Sequence, residues 1–216
     1  MTSAVTTGVH EILDLLDWKR RIFALYAEVR AAASAPVDGW HRWREVRDEL
    51  FRLHPQSPVP TGDRGELAGL LYFPYDPELR VLAELVPVEP RPVEIGASKG
   101  RPITFERFGE ARFELLGEAR SLDAYWLEAY GGGLFLPFAD ATSGEETYPA
   151  GRYLLDTVKG ADLGGDGDEL VLDFNFAYNP SCAYDSRWAC PLAPPANRLD
   201  CAVRAGERIL HRNPGQ

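Results

Sequence analysis

Residues 103–130 read ITFERFGEARFELLGEARSLDAYWLEAY, and this stretch decides the fold class. Three short strands are predicted within it: Ile103–Phe108, Ala111–Leu116 and Ala119–Tyr130. Turn residues Phe108-Gly109-Glu110 separate the first two strands. Several short strands bounded by turn residues at this spacing are typical of antiparallel sandwiches and barrels.

The same pattern continues on both sides of this stretch. Further strands are predicted at Leu67–Phe73, Arg80–Val88, Pro92–Ala97, Leu134–Phe138, Arg152–Val158, Leu170–Phe176 and Leu199–Ala205. Strands and helices do not alternate, so the pattern does not support a parallel α/β sheet. We therefore expect an antiparallel, barrel-like sheet.

The first part of the chain has a different, helical periodicity. Residues 9–34 are predicted to form an amphipathic helix with an apolar stripe that Lys19 interrupts. The stripe consists of Ile12, Leu15, Leu16, Phe23 and Tyr26. A second helix is predicted from Trp40 to Leu53, and the proline-rich segment after it cannot be helical. The prediction is an α+β, mostly β protein: a helical arm with its connector over residues 1–60, packed on an antiparallel β domain over residues 61–216.

Charge and composition restrict the partners. The formal net charge is -10, and no cluster of basic residues is large enough to neutralise a phosphate backbone. Nucleic acid and anionic membranes are therefore not expected as partners. The chain lacks a recognisable secretory signal and an apolar run of roughly 20 residues, so we expect a cytoplasmic location. The sequence leaves the oligomeric state open.

The first dense group of polar residues follows a predicted strand, at residues 140–152. Asp140, Thr142, Glu146 and Tyr148 offer acceptors and hydroxyls, and Arg152 offers a planar fork of donors suited to an anion. One interpretation is the rim of a pocket, with Arg152 as the anion clamp. The alternative is a turn held by its own side-chain to backbone hydrogen bonds, in which Arg152 pairs with Asp140 or Glu146.

A second group lies between residues 173 and 197. If Leu170–Phe176 is a strand, Asp173 and Asn175 share one face and the aromatic residues share the other. A buried Asp173 needs a cation such as Arg152, or a raised pKa. Asn179, Cys182 and Asn197 follow in proline-rich loops, and these residues complete the candidate ligand-binding set.

The three cysteines, Cys182, Cys190 and Cys201, admit several interpretations. Their spacing contains no Cys-x-x-Cys knuckle, so neither a metal nor another cofactor is predicted. Cys182 and Cys190 could form a reversible disulfide, although a reducing cytoplasm opposes it. Cys182 could also act as a nucleophile if a base such as His54 lay beside it.

Three stretches of the sequence carry a resemblance to a known family. The stretches TSGEETYPAGRYL at residues 142–154 and DFNFAYNPSCAY at residues 173–184, followed by CPLAPPANRL at residues 190–199, resemble an uncharacterised family of prokaryotic proteins, a domain of unknown function. The resemblance covers the chain from roughly the second helix to the end. It implies no activity, substrate or cofactor.

Three functions remain open on this basis. The favoured one is a cytoplasmic protein that binds a small polar or anionic molecule through Arg152, Asn175, Asn179 and Asn197. The second is a hydrolase in which Asp140, Glu146 or Asp173 supplies acid–base chemistry and Tyr148 or Cys182 assists. The third is a structural or interaction module in which these polar groups only satisfy one another.

Overall fold

Two helices are followed by seven strands in the computed structural model, which describes residues 8–128 and 130–209. The helices are α1 (Val9–Ala31) and α2 (Pro36–Leu53). The strands are β1 (Arg80–Ile95), β2 (Ile103–Leu115), β3 (Glu118–Leu127), β4 (Gly133–Phe138), β5 (Arg152–Asp156), β6 (Gly165–Asp166) and β7 (Glu169–Asp173).

All seven strands belong to one antiparallel sheet in the order β5-β4-β3-β2-β1-β7-β6. The predicted α+β architecture, with a helical arm packed on an antiparallel sheet, is confirmed. The sheet does not close into a barrel. A single antiparallel bridge between Tyr153 and Tyr178 joins β5 to the segment after β7.

The long hairpin β1–β2 replaces four of the short predicted strands. Gly109 lies inside β2 and not in a turn, so that turn prediction was wrong. A Cβ at Gly109 would lie 2.8 Å from Cδ1 of Leu85, which explains why glycine suits this close approach within the sheet. Register shifts occur between Pro87 and Arg91 and again between Arg107 and Gly109.

The prolines of β1 are compatible with a strand because of where β7 ends. Strand β7 pairs with β1 only over Arg80–Glu84. Beyond Glu84, no other strand among the described residues pairs with that side of β1. The Leu85 amide, on that side, donates to the Asp168 carbonyl oxygen at 2.7 Å. Pro87, two positions on, lies past the end of the pairing with β7, so its missing N–H costs no hydrogen bond to that strand.

The buried face of α1 differs from the predicted stripe. Of the predicted stripe, Tyr26 is buried, whereas Ile12, Leu15, Leu16 and Phe23 are 40–54% exposed. The other buried residues are Ile22, Leu25 and Val29. The buried residues follow the helical i, i+3, i+4, i+7 spacing, shifted toward the C-terminal half of the helix. Helix α2 begins at Pro36, earlier than predicted, because proline at the first helical position loses no hydrogen bond.

Two hydrophobic clusters stabilise the fold. The larger joins α1 and α2 to the sheet and includes Trp43, Leu50, Leu136, Phe174 and Phe176. The smaller cluster consists of Ile95, Phe105, Tyr125, Phe135 and Tyr153. The predicted strands Leu67–Phe73 and Leu199–Ala205 are irregular segments, and both predictions were wrong.

Candidate functional site

Asp140 lies at the centre of a buried hydrogen-bond network directly after β4. Its carboxylate accepts from the Thr142 hydroxyl at 2.9 Å and from the Val203 amide at 2.7 Å. The Thr142 hydroxyl also lies 2.9 Å from that of Thr147. The turn that follows β4 therefore brings the Thr142 hydroxyl onto the Asp140 carboxylate and the Thr147 hydroxyl onto that of Thr142.

Arg152 is the cation of the same network and is almost fully buried. Its guanidinium donates to the carbonyl oxygens of Ala205 and Val203 and lies 3.6 Å from the carboxylate of Asp140. Burial lowers the pKa of Arg152 to about 10, while the charges of Asp140 and Glu207 oppose this, so the group stays charged at neutral pH. Of the two alternatives, pairing between Arg152 and Asp140 is the one that the structure shows.

Asp173 and Asn175 form a separate network at the end of β7. The carboxylate of Asp173 accepts from the Asn175 backbone amide at 3.0 Å and from its side-chain amide at 2.8 Å. Asn175 also exchanges hydrogen bonds with the backbone of Asp76 at 2.8 and 2.9 Å. Burial raises the pKa of Asp173, against these hydrogen bonds and the charge of Arg80. The cation beside Asp173 is therefore Arg80, at 3.7 Å, and not Arg152.

Two further candidates are engaged elsewhere. The side-chain amide of Asn197 donates to the carbonyls of Asp123 and Pro137 at 2.9 and 2.8 Å, which attaches its loop to β3 and β4. Glu146 forms a surface ion pair with Arg204 at 2.9 Å. The three carboxylates of the hydrolase alternative, Asp140, Glu146 and Asp173, thus lie in three different networks.

One cavity lies between the helical arm and the end of the sheet. It contains about 520 Å³ of space not filled by atoms, including the part open to solvent. Aromatic rings form much of its wall, together with polar groups from the segment after β7. Its lining comprises Trp18, Ile22, Tyr26, Arg47, Phe51, Pro58, Tyr153, Lys159, Ala161, Tyr178, Asn179, Pro180 and Ser181.

Arg47 is the buried cation of this cavity. Its Nη2 donates to Glu207 at 2.8 Å and its Nε donates to the Tyr72 hydroxyl at 3.2 Å. Its guanidinium carbon lies 4.7 to 5.2 Å from the ring centres of Trp43, Phe51 and Tyr178. Burial opposes the charge of Arg47, but Tyr72 and Glu207 outweigh it and hold the pKa of the guanidinium well above its ordinary value.

Glu207 fixes the position of Arg47 from the opposite side. Its carboxylate also accepts from the Tyr184 hydroxyl and from the Asn179 amide, the latter at 3.0 Å. Three parts of the chain, α2, the segment after β7 and the last described residues, therefore meet at this ion pair.

Several polar groups around the cavity have no hydrogen-bond acceptor or donor within the described part of the chain. Asn179 Oδ1 and the Tyr26 hydroxyl are buried and unpartnered. Nη1 of Arg47 and the hydroxyls of Tyr178 and Ser181 likewise make no hydrogen bond to residues 8–128 or 130–209. Burial raises the pKa of Tyr26 to about 12, although the charge of Arg47 opposes this, so this hydroxyl remains protonated at neutral pH. Unsatisfied buried polar atoms are uncommon in folded proteins, and two of the seven in the described residues, Asn179 Oδ1 and the Tyr26 hydroxyl, belong to residues that line this cavity.

Tyr148 and Cys182 contact one another beside this cavity. The Tyr148 hydroxyl lies 3.5 Å from Cys182 Sγ, and the Cys182 amide lies 3.3 Å from Cys190 Sγ. His54 is not their partner, because its ring nitrogens contact Asp17 at 3.2 Å and the Gln56 amide at 3.1 Å.

Of the ten candidate residues, the structure brings only Asn179 into the lining of the cavity. Sequence reasoning missed Arg47, Glu207, Tyr26 and Tyr178. A signal for Arg47 existed: it is a charged residue on the apolar face of α2 that carries Trp43 and Leu50. A charge at such a position needs a buried partner, but the partner lies 160 residues away and has no sequence signal of its own.

Within residues 8–128 and 130–209, no three His, Cys, Asp or Glu side chains cluster in a way that could hold a metal ion. No helix in these residues combines the length and the apolar character needed to cross a bilayer.

The fold and the site define a protein with an open antiparallel sheet, a helical arm and a buried ion pair beside a cavity. The chain belongs to the family described as Protein of unknown function (DUF1684), whose family model matches residues 65–208. The resemblance noted in the sequence is thereby confirmed at the level of an uncharacterised family.

A solved structure shares this fold. The solution NMR structure of an uncharacterized protein from Haloarcula marismortui is 36% identical in sequence and superimposes with a TM-score of 0.56. The match covers 80% of this chain and 95% of the other. No curated protein matches the chain.

Proposed function

We propose that this protein binds a small organic anion in the cavity between α1, α2 and the segment after β7. The observation that carries the proposal is the group of polar atoms around that cavity that lack partners among the described residues. Such groups gain hydrogen bonds when a ligand of matching chemistry enters, and empty they leave desolvated donors and acceptors unpaired.

The donors favour an anion. Nη1 of Arg47 is a charged donor, and Ser181, Tyr26 and Tyr178 contribute hydroxyls. Lys159 lies at the exposed rim, where its ammonium is 3.3 Å from Asp156. Two cations and three hydroxyls beside one space suit a carboxylate.

The aromatic walls of the cavity and its one unpartnered acceptor restrict the chemical class of the ligand further. Trp18, Phe51 and Tyr153 present apolar surface on which a flat ring packs. Asn179 Oδ1 is an unpartnered acceptor, so it favours a ligand that also carries a donor. The room for water-sized molecules within this space is about 70 Å³, so the ligand is small. We therefore infer a small aromatic or similarly planar acid that bears a hydroxyl or amino group.

The test uses 4-hydroxybenzoate as the anionic probe and its methyl ester as the uncharged match. A dissociation constant of about 1 mM gives about 1.4 kcal/mol of stabilisation at a probe concentration of about 10 mM. For a chain of this size, that stabilisation corresponds to a rise in Tm of roughly 3–5 °C. We expect this rise with the acid and a much smaller one with the ester.

Two variants locate the binding. Arg47→Lys keeps a positive charge opposite Glu207 but removes the free Nη1 donor, so the rise in Tm is expected to disappear. Lys159→Glu reverses the charge at the rim and is expected to weaken binding, whereas Lys99→Glu makes the same change at an exposed residue outside the cavity lining. Equal effects of acid and ester, or equal effects of the two lysine variants, would contradict the proposal.

A further inference from the structure

The two neighbouring thiols outside the cavity lining form a distinct chemical site. Cys182 lies in the 3-10 turn Ser181–Ala183 and is partly exposed, while Cys190 is buried. Eight positions separate them in sequence, yet Cys190 Sγ lies 3.3 Å from the Cys182 backbone nitrogen. The sulfur of a cysteine stays close to its own amide in every rotamer, so the two sulfurs are neighbours. The two thiols also interact as hydrogen-bond partners.

Cys190 is held rigidly in this position. Its amide donates to the Ser98 hydroxyl at 3.0 Å, and its carbonyl accepts from the Ser98 amide at 2.8 Å. The following residue, Pro191, accepts a hydrogen bond from the Tyr153 hydroxyl. The buried thiol therefore cannot move far from Cys182 while the fold is intact.

Cys182 is the more acidic thiol. Hydrogen bonding from Cys190 lowers the pKa of Cys182 to about 6, with further help from Ser98 and Tyr148 and against the opposing effect of burial. The pKa of Cys190 is raised by that same contact and by burial. The pair thus holds one thiolate and one thiol at neutral pH, and the partly exposed sulfur carries the charge.

We propose that Cys182 and Cys190 form a pair that hydroperoxides oxidise to a disulfide, with Cys182 as the attacked sulfur and Cys190 as the resolving one. The Cys182 thiolate attacks one peroxide oxygen, the O–O bond breaks, and the other oxygen leaves and takes up a proton. Cys182 becomes a sulfenic acid, and the peroxide is reduced by two electrons.

Resolution follows from the fixed position of Cys190. Its sulfur attacks the sulfur of Cys182, the S–O bond breaks, and the hydroxide leaves as water with the proton from Cys190. The product is a disulfide that external thiols reduce again. A reducing compartment therefore makes the oxidation reversible and does not prevent it.

The test treats the whole protein with hydrogen peroxide at pH 7 and maps its peptides by mass spectrometry. The expected product is a Cys182–Cys190 cross-link with Cys201 free, which dithiothreitol reverses. We expect Cys182 to react about fivefold or more faster than Cys201, because the pKa of Cys201 is raised by burial and a lower thiolate fraction outweighs its greater intrinsic nucleophilicity.

Single substitutions assign the roles. Cys190→Ser is expected to leave a sulfenic acid at Cys182 that dimedone traps, and Cys182→Ser is expected to keep Cys190 reduced. Cys201→Ser is the matched control and is expected to oxidise like the wild type. Stable sulfenic or sulfinic acid at Cys182 of the wild-type protein, with Cys190 still free, overturns the proposal even if a variant fails to fold. These results do not depend on whether the cavity binds an anion.

Discussion

The guanidinium of Arg47 and the carboxylate of Glu207 meet at 2.8 Å in the protein interior, although 160 residues separate them in the chain. Both side chains are almost inaccessible to solvent. Forming a buried ion pair costs free energy, because both charges lose their hydration. Leaving one of the two charges buried without its partner costs more. This pair therefore fixes how the helical arm sits against the end of the sheet.

Removing one charge of this pair is expected to destabilise the protein strongly. Glu207→Gln keeps the shape of the side chain but leaves Arg47 buried without a counter-charge, which typically costs about 3–5 kcal/mol. Urea unfolding measures the change in free energy. Glu146→Gln, which breaks the exposed pair with Arg204, is the control and is expected to cost no more than about 1 kcal/mol. Similar losses in both variants would show that burial of the Arg47–Glu207 pair carries no special penalty.

Arg152 is expected to be irreplaceable by lysine for a geometric reason. Its planar guanidinium donates hydrogen bonds to the carbonyls of Val203 and Ala205 at the same time, and a single ammonium cannot reproduce that geometry. Because unsatisfied buried acceptors remain, Arg152→Lys is expected to cost on the order of 3 kcal/mol. Arg112→Lys, at an exposed position, is the matched change and is expected to alter stability by less than about 0.5 kcal/mol. A tolerated Arg152→Lys would mean that the segment around Val203 is held by other contacts.

Alanine substitutions at two glycines with nearly the same φ angle distinguish the cost of backbone strain from the cost of steric crowding. Gly144 has φ of 96° and open space where a Cβ would lie, whereas Gly151 has φ of 89° and a Cβ there would lie 2.5 Å from the Phe138 carbonyl oxygen. Gly144→Ala is expected to cost roughly 1–2 kcal/mol from the left-handed backbone alone. Gly151→Ala adds a collision with backbone, so its loss is expected to be clearly larger in the same unfolding assay. Equal losses would exclude crowding at Gly151.

The reactivity of Cys182 is expected to change with pH around neutrality. The thiolate is the nucleophile, so a pKa of about 6 means that reactivity is low below this pH and reaches a plateau above about pH 7. The rate of iodoacetamide alkylation at Cys182, followed by peptide mass, is expected to be half-maximal near pH 6. Cys201 is the internal reference, because burial raises its pKa and its rate is expected to rise only at higher pH. A profile for Cys182 that coincides with that of Cys201 is the contrary result.

The fold class followed from the sequence because alternation and turn residues are local signals. The irregular segment Leu199–Ala205 did not, since its composition suits a strand. In the structure, carbonyls of this segment and of Glu207 accept hydrogen bonds from Arg152, and a side chain thus replaces a neighbouring strand. Hydrogen bonding of backbone carbonyls by a distant side chain depends on tertiary contacts, so no periodic pattern in the sequence indicates it.

The shared pocket expected for the candidate residues depended on alternation in a strand through Asp173 and Asn175. Strand β7 ends at Asp173, whose side chain caps a 3-10 turn over Phe174–Phe176. The turn allows both the polar and the aromatic side chains to be buried. A local capping preference therefore outweighed the pattern of alternating faces, and the amides of Asn175 and Asn197 were directed into separate networks.

The register shifts in the β1–β2 hairpin have a consequence for how the protein opens. On one side of the shifts, the hairpin carries Ala83, Ala111 and Phe113 of the large core, and on the other it carries Ile95 and Phe105 of the small cluster. Each of the two strands therefore has one half packed in the large core and one half packed only in the small cluster. We expect native-state hydrogen exchange to divide each strand into two populations of amides, one released only by global unfolding and one by a smaller opening.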